Sequence, residues 1–151
     1  MTEDKDEKLI SYCGLYCPDC HAYKGIISDI ALNLRRQLRR TDYEKFAKFI
    51  SKYPSGKDLK NYQDGYNFLA AIAAFRCDLG CRAGGGSGSC KIKQCCTEKG
   101  LEGCWDCDEF EKCKKLDSLN MLHGQAHRKN LQTIKKKGKE EFIKGKRLWT
   151  T

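Results

Sequence analysis

The chain has no apolar run long enough to cross a bilayer, and no apolar segment follows its charged start, MTEDKDEK. Neither a membrane span nor a secretory signal is therefore expected, and the expected compartment is the cytoplasm, where thiols stay reduced. Period-two alternation is missing, so no segment reads as a strand. There is no internal repeat and no long linker. The glycine-rich stretch 83–89, AGGGSGS, lacks the GK[ST] ending of a phosphate loop and reads as a flexible loop. No Ser/His/Asp pattern stands out, and enzymatic activity is the less favoured class.

Cysteine is abundant: eleven of 151 residues. Eight lie in residues 77–113: Cys77, Cys81, Cys90, Cys95, Cys96, Cys104, Cys107 and Cys113. The other three, Cys13, Cys17 and Cys20, cluster near the N-terminus with spacing C-x3-C-x2-C. In a reducing compartment a disulfide scaffold is not expected, and the odd count argues the same way. One isolated cysteine is usually a small buried hydrophobe, but clusters of this density read as metal ligands.

Structural zinc takes four tetrahedral Cys or His ligands. The spacing Cys104-x2-Cys107 lets both sulfurs reach one ion, and Cys13, Cys17 and Cys20 offer three more ligands. Adjacent Cys95 and Cys96 point in different directions, so they serve different ions or only one of them ligates. The expected ligand set is Cys13, Cys17, Cys20, Cys81, Cys90, Cys95, Cys96, Cys104, Cys107 and Cys113, enough for two zinc ions with thiols to spare.

Iron–sulfur ligation, in a redox or sensor protein, is the main alternative, because the same thiolates hold such clusters. C-x3-C-x2-C is also the cluster motif of radical S-adenosylmethionine enzymes. Here, however, it starts at residue 13 with no preceding strand, Asp19 stands where an aromatic is usual, and a helical pattern follows. Cys17-Pro-Asp-Cys20-His21 has the form of a haem attachment site, a chemistry that belongs outside the cytoplasm. Cys104-x2-Cys107-x15-His123-x3-His127 matches loose Cys2His2 spacing, but Cys113 intervenes and no ββα pattern surrounds it. Of the two histidines, His127 is the better candidate ligand.

The rest of the chain reads as helices. Pro18 suits a first helical turn, and apolar residues then recur at helical spacing from Ala22 to Leu38, placing Cys17 and Cys20 at a helix N-terminus. Thr41-Asp-Tyr-Glu44 reads as a capping box opening a second helix. A third runs from Asp58 to about Arg76, with Gly65 marking a close helix contact. Short helices follow at residues 91–99 and 108–116. The tail from His123 to Arg147 is helical, with Leu131, Ile134, Phe142 and Ile143 inward and a break at Gly138.

The formal net charge is +9, with Arg35, Arg36, Arg39, Arg40 and a run of basic residues from Lys135 to Arg147. Thiolates bound to two divalent ions bring this to about +5. The basic helices permit a nucleic acid or protein partner; no membrane contact is expected.

Several stretches together carry a resemblance. Tyr12-Cys-Gly-Leu-Tyr-Cys-Pro-Asp-Cys20, Cys81-Arg82, Cys90-Lys-Ile-Lys-Gln-Cys-Cys96, Glu98-Lys-Gly100, Cys104-Trp-Asp-Cys-Asp-Glu-Phe110 and Cys113 occur in the order of a known pattern. His127-Arg-Lys-Asn130 with Ile134 and Gly138 continues it. The chain resembles a prokaryotic cysteine-rich family classed only as a domain of unknown function, number 3795. The resemblance implies a small, mostly helical, metal-binding cytoplasmic protein with no assigned activity. Cys77 departs from the family spacing, and His21 stands where proline is common.

The expected architecture is mainly α, with a tail at residues 1–8 and one domain over residues 9–151. Its helical part (9–76) supplies the apolar core. A loop-rich cysteine module (77–116) and C-terminal helices (117–151) are tied to it by metal.

Overall fold

The computed structural model describes residues 3–151. Its helices are α1 (Glu3–Glu7), α2 (Ile26–Arg40), α3 (Tyr43–Ile50), α4 (Tyr62–Ala74), α5 (Lys91–Glu98), α6 (Lys114–Asp117), α7 (Asn120–His123), α8 (Ala126–Lys137) and α9 (Lys139–Lys144). Single 3-10 turns fill several of the gaps, among them Cys17–Asp19 and Cys104–Asp106. Among the described residues the β pairing is confined to two isolated bridges, Ile10 with Tyr16 and Tyr23 with Cys77. The fold is mainly α, as the sequence implies. Residues 1 and 2 of the expected tail lie outside the described residues.

The chain divides into two units, one of Met1–Tyr23 with Cys77–Thr151 and one of Lys24–Arg76. The first contains all eleven cysteines and the hydrophobic core. Ile10, Leu116 and Leu131 are fully buried there, together with Phe142, Ile134, Trp105, Phe110, Ile92, Cys96 and Cys104. The N-terminal segment enters this core as a tight loop: Cys17 N donates to Leu9 O (2.8 Å), Ser11 N donates to Leu15 O (2.7 Å), and Ser11 Oγ donates to the same carbonyl. A further bond, Cys104 N to Tyr12 O at 2.8 Å, ties that loop to the cysteine-rich stretch.

The C-terminal residues form a strap over α7 and α8. Asn130 pairs with Leu148 in both directions, Nδ2 donating to its carbonyl (2.8 Å) and Oδ1 accepting from its amide (3.1 Å). His123 Nδ1 meets Trp149 O at 2.7 Å, and the Trp149 ring stands edge-on to both His123 and His21. Arg147 lies over Tyr16 and bonds to Asp19. These contacts satisfy the buried polar groups of Asn130 and His123, which otherwise carry a desolvation cost of about 1–3 kcal/mol each.

The second unit pairs α2 with α4 in antiparallel fashion. Ser28 Oγ, at the start of α2, donates to Phe75 O at the end of α4, and Arg76 pairs with Asp29. Its buried residues are small: Gly25, Ser28, Ala31, Ala47 and Gly56. The expectation that the N-terminal helices supply the apolar core is therefore corrected. Helical periodicity marks their apolar faces, but periodicity cannot show whether anything covers a face.

Three local expectations also change. Thr41 and Glu44 form no capping box: Asp42, not Thr41, precedes α3, it is in the left-handed region (φ 53°), and no side chain caps the helix. Thr41 Oγ1 instead donates back to Gln37 O (2.9 Å). The third helix is split, because a 3-10 stretch over Pro54–Asn61 precedes α4. Gly65 makes no close contact; a Cβ placed there meets nothing within 4 Å.

Phe142→Ala, which empties a fully buried site, is expected to cost about 3–5 kcal/mol. Phe75→Ala, in the second unit and 74% exposed, is expected to stay within about 0.5 kcal/mol. Chemical denaturation of the two variants checks the placement of the core. Equal losses would contradict it.

Candidate metal centre

Two cysteine pairs are set on the same backbone device. In Cys17-Pro-Asp-Cys20 a single 3-10 turn closes when Cys20 N donates to Cys17 O (2.9 Å). In Cys104-Trp-Asp-Cys107 the same turn closes when Cys107 N donates to Cys104 O (3.1 Å). The closing cysteines share one backbone shape, φ −79°, ψ 135° at Cys20 and φ −89°, ψ 128° at Cys107. The expected helix N-terminus at Cys17 and Cys20 is thus corrected to an isolated turn. Gly25, with φ 66°, separates it from α2. Cys-x-Asp-Cys occurs twice in the sequence, too short to register as an internal repeat, and the structure shows that both copies fold alike.

The first cysteine of each turn meets a cysteine from a distant segment. Cys104 Sγ lies 3.6 Å from Cys96 Sγ, carried by α5. Cys17 and Cys81 are close enough for each to shift the other's ionisation. Every cysteine is free of disulfide bonds. The S–H of Cys81 stabilises a thiolate on Cys17 and lowers its pKa to about 7, against partial burial, while Cys81 itself is pushed up by its bond to Cys17 and by desolvation. Cys96 is lowered by its bond to Cys104, and Cys104 is raised by that bond and by burial.

Other thiols gather around these pairs. Cys77 and Cys13 act electrostatically on Cys81. Cys13 and Cys113 do so on Cys104. Cys13 is itself raised by burial, and its Sγ lies 3.1 Å from Ser11 Oγ; Cys90 acts on it through space. Cys95, Cys96, Cys104, Cys107 and Cys113 line one cavity of about 70 Å³, with Ile92, Leu101 and Phe110 also in its wall. Cys77, which its spacing leaves outside the expected ligand set, sits with the Cys17/Cys81 pair.

The glycine-rich stretch is not a slack spacer. Gly85 N donates to Gly80 O (2.8 Å), and a Cβ at Gly85 meets Cys77 Sγ at 2.7 Å. A Cβ at Gly86, whose φ is 73°, meets Cys81 Sγ at 3.0 Å. Glycine is needed here because the backbone passes directly against the thiols.

Neither histidine of the loose finger spacing reaches a sulfur ligand set. His123 is held by the Trp149 carbonyl. His127 is fully buried, its Nδ1 has no partner among the described residues, and its Nε2 lies 3.4 Å from Arg128 Nη1. Burial, with Arg128 and His123 nearby, holds its pKa down to about 4. Among the described residues, no group of three or more His, Cys, Asp or Glu side chains stands ready to hold a metal ion.

The family model described as "Protein of unknown function (DUF3795)" matches residues 9–118, more than half of the chain. The chain belongs to this family. No curated protein and no solved structure matches it. The matched segment contains every cysteine and ends just past α6, so the C-terminal strap lies outside it.

Two outcomes follow. Mild dithiol oxidation of metal-free protein is expected to join Cys96 to Cys104, read by peptide mapping; a Cys95–Cys96 product in its place would contradict the geometry. His127, neutral in the fold, has a folded pKa below the unfolded value of about 6.5. Its contribution is thus complete above about pH 6.5 and lost as the pH falls toward 4. His127→Gln is expected to flatten the fall in melting temperature across that window relative to the parent chain.

Proposed function

We propose that this is a metal-binding protein with two structural zinc sites, acting as a binding module rather than an enzyme. One site draws on Cys17, Cys20, Cys77 and Cys81, the other on Cys96, Cys104, Cys107 and Cys113. The observation that carries this reading is the 3.6 Å separation of Cys96 and Cys104. Four sulfurs at about 2.3 Å from a tetrahedral ion stand about 3.8 Å from one another. The pair therefore fits one edge of such a site, and it is far longer than a disulfide bond of about 2.05 Å.

The donor chemistry supports the same reading. Soft thiolates select thiophilic ions such as zinc. A lone thiolate in an apolar core is costly, and a divalent ion removes that cost. Cys17 and Cys104 each open a turn whose second cysteine is three residues on, so each turn can supply two adjacent ligands. The remaining ligands have to swing inward when the ion binds. Cys13, Cys90 and Cys95 stay in reserve beside the two sites.

Metal content is expected to be about two zinc ions per chain, with no visible absorbance. Cys104→Ser is expected to remove one ion and Cys81→Ser the other. Chelation is expected to unfold the cysteine-bearing unit, because ion binding is coupled to its folding. Unchanged circular dichroism and melting after chelation would contradict structural zinc. Iron with sulfide and a brown colour would instead support a redox or sensor protein.

A further inference from the structure

The second unit has exposed what a unit of its size normally buries. Residues 24–76 bury no large apolar side chain. Yet α2 carries Ile26, Ile27, Ile30 and Leu34 on one stripe, at exposures of 66%, 48%, 64% and 45%. The opposite flank of the helix, Ser28 and Ala31, is the one that is buried. A contiguous aliphatic face of this kind marks an interaction site rather than ordinary surface.

Charge decides what suits it. Residues 24–76 carry eleven Lys or Arg against five Asp or Glu, a net +6 out of the chain's +9. Arg36 and Arg40 flank the stripe on helical spacing and pair with no carboxylate among the described residues. Arg35 and Arg39, by contrast, are engaged with Tyr66. A second copy would set one strongly basic face against another, and like charges across an interface are costly. A nucleic acid is matched in charge, but single-stranded chains need aromatic platforms, and this stripe is aliphatic. A lipid surface is matched in charge too. However, Asn33 and Gln37 are exposed in the same sector, where an inserting helix needs unbroken apolar width. Amide side chains of that kind belong in the polar rim of a protein interface.

We propose that the exposed face of α2 docks an acidic amphipathic helix of a partner protein. Leu or Phe anchors at i, i+4 and i+7 lie against Ile26, Ile30 and Leu34, whose stripe is about 12 Å long. Carboxylates on the partner's flank meet Arg36 and Arg40. The inference does not depend on zinc, and its test leaves the cysteines untouched.

The experiment uses the full chain and two labelled synthetic helices with identical apolar anchors, one with glutamate and one with lysine at the polar positions. Fluorescence anisotropy is read at low and high salt. The glutamate helix is expected to bind at least about tenfold more tightly, with the difference shrinking as salt rises. Ile30→Asp, and separately the double variant Arg36→Glu with Arg40→Glu, are each expected to weaken it by about tenfold or more. Both sites are exposed, so circular dichroism is expected to be unchanged. Equal binding of the two helices overturns the proposal. So does a homodimer in sedimentation equilibrium that Ile30→Asp dissolves, which would assign the face to a second copy. Tighter binding, lost in Ile30→Asp, to anionic vesicles or to a single-stranded oligonucleotide overturns it as well.

Discussion

Two sulfur atoms 3.6 Å apart, on Cys96 and Cys104, stand inside the hydrophobic core of the cysteine-bearing unit. Their neighbours in that core include Ile10, Leu116 and Leu131, drawn from three well-separated stretches of chain. The core is modest in size, so the ionisation state of its sulfurs bears directly on its stability. Their hydrogen bond favours the thiolate on Cys96 and the thiol on Cys104. A bound ion, as proposed above, would satisfy both and would cross-link α5 to the turn at Cys104. The backbone bond from Cys104 to Tyr12 then extends the link to the N-terminal loop. The Cys17 and Cys81 pair sets a similar arrangement between the N-terminal turn at Cys17 and the 3-10 turn Cys81–Ala83.

Much of this was legible from residues. The short helix over Lys91–Glu98 and the break at Gly138 follow from local chemistry, and local chemistry is what sequence records best. Leu131, Ile134 and Phe142 are buried on the face their spacing implies. What was not legible is non-local. The apolar spacing of α2 looks the same whether the face is covered or bare, so the core was expected in the wrong half of the chain. The cysteine partnerships depend on loops whose path no spacing rule gives. Residues 83–89 have the composition of a flexible loop, yet Gly85 and Gly86 are there because side chains would collide with Cys77 and Cys81.

The two units differ in what holds them and in what they offer. The cysteine-bearing unit holds the large buried side chains, although Leu79, Met121 and Leu122 are exposed, and it closes its C-terminus with Asn130, His123 and Arg147 contacts. The unit of α2, α3 and α4 leaves many of its aliphatic and aromatic side chains in solvent, and most of the chain's net positive charge is there. Under the two proposals, stability and recognition would fall to different segments: the thiols would maintain a scaffold, and the exposed face of α2 would meet the partner.

The most direct test of the scaffold is X-ray absorption at the metal edge of protein purified without oxygen. The account predicts a zinc edge with about four sulfur neighbours at about 2.3 Å. An iron edge with short metal–metal distances, a shell dominated by nitrogen or oxygen, or no bound metal would contradict it.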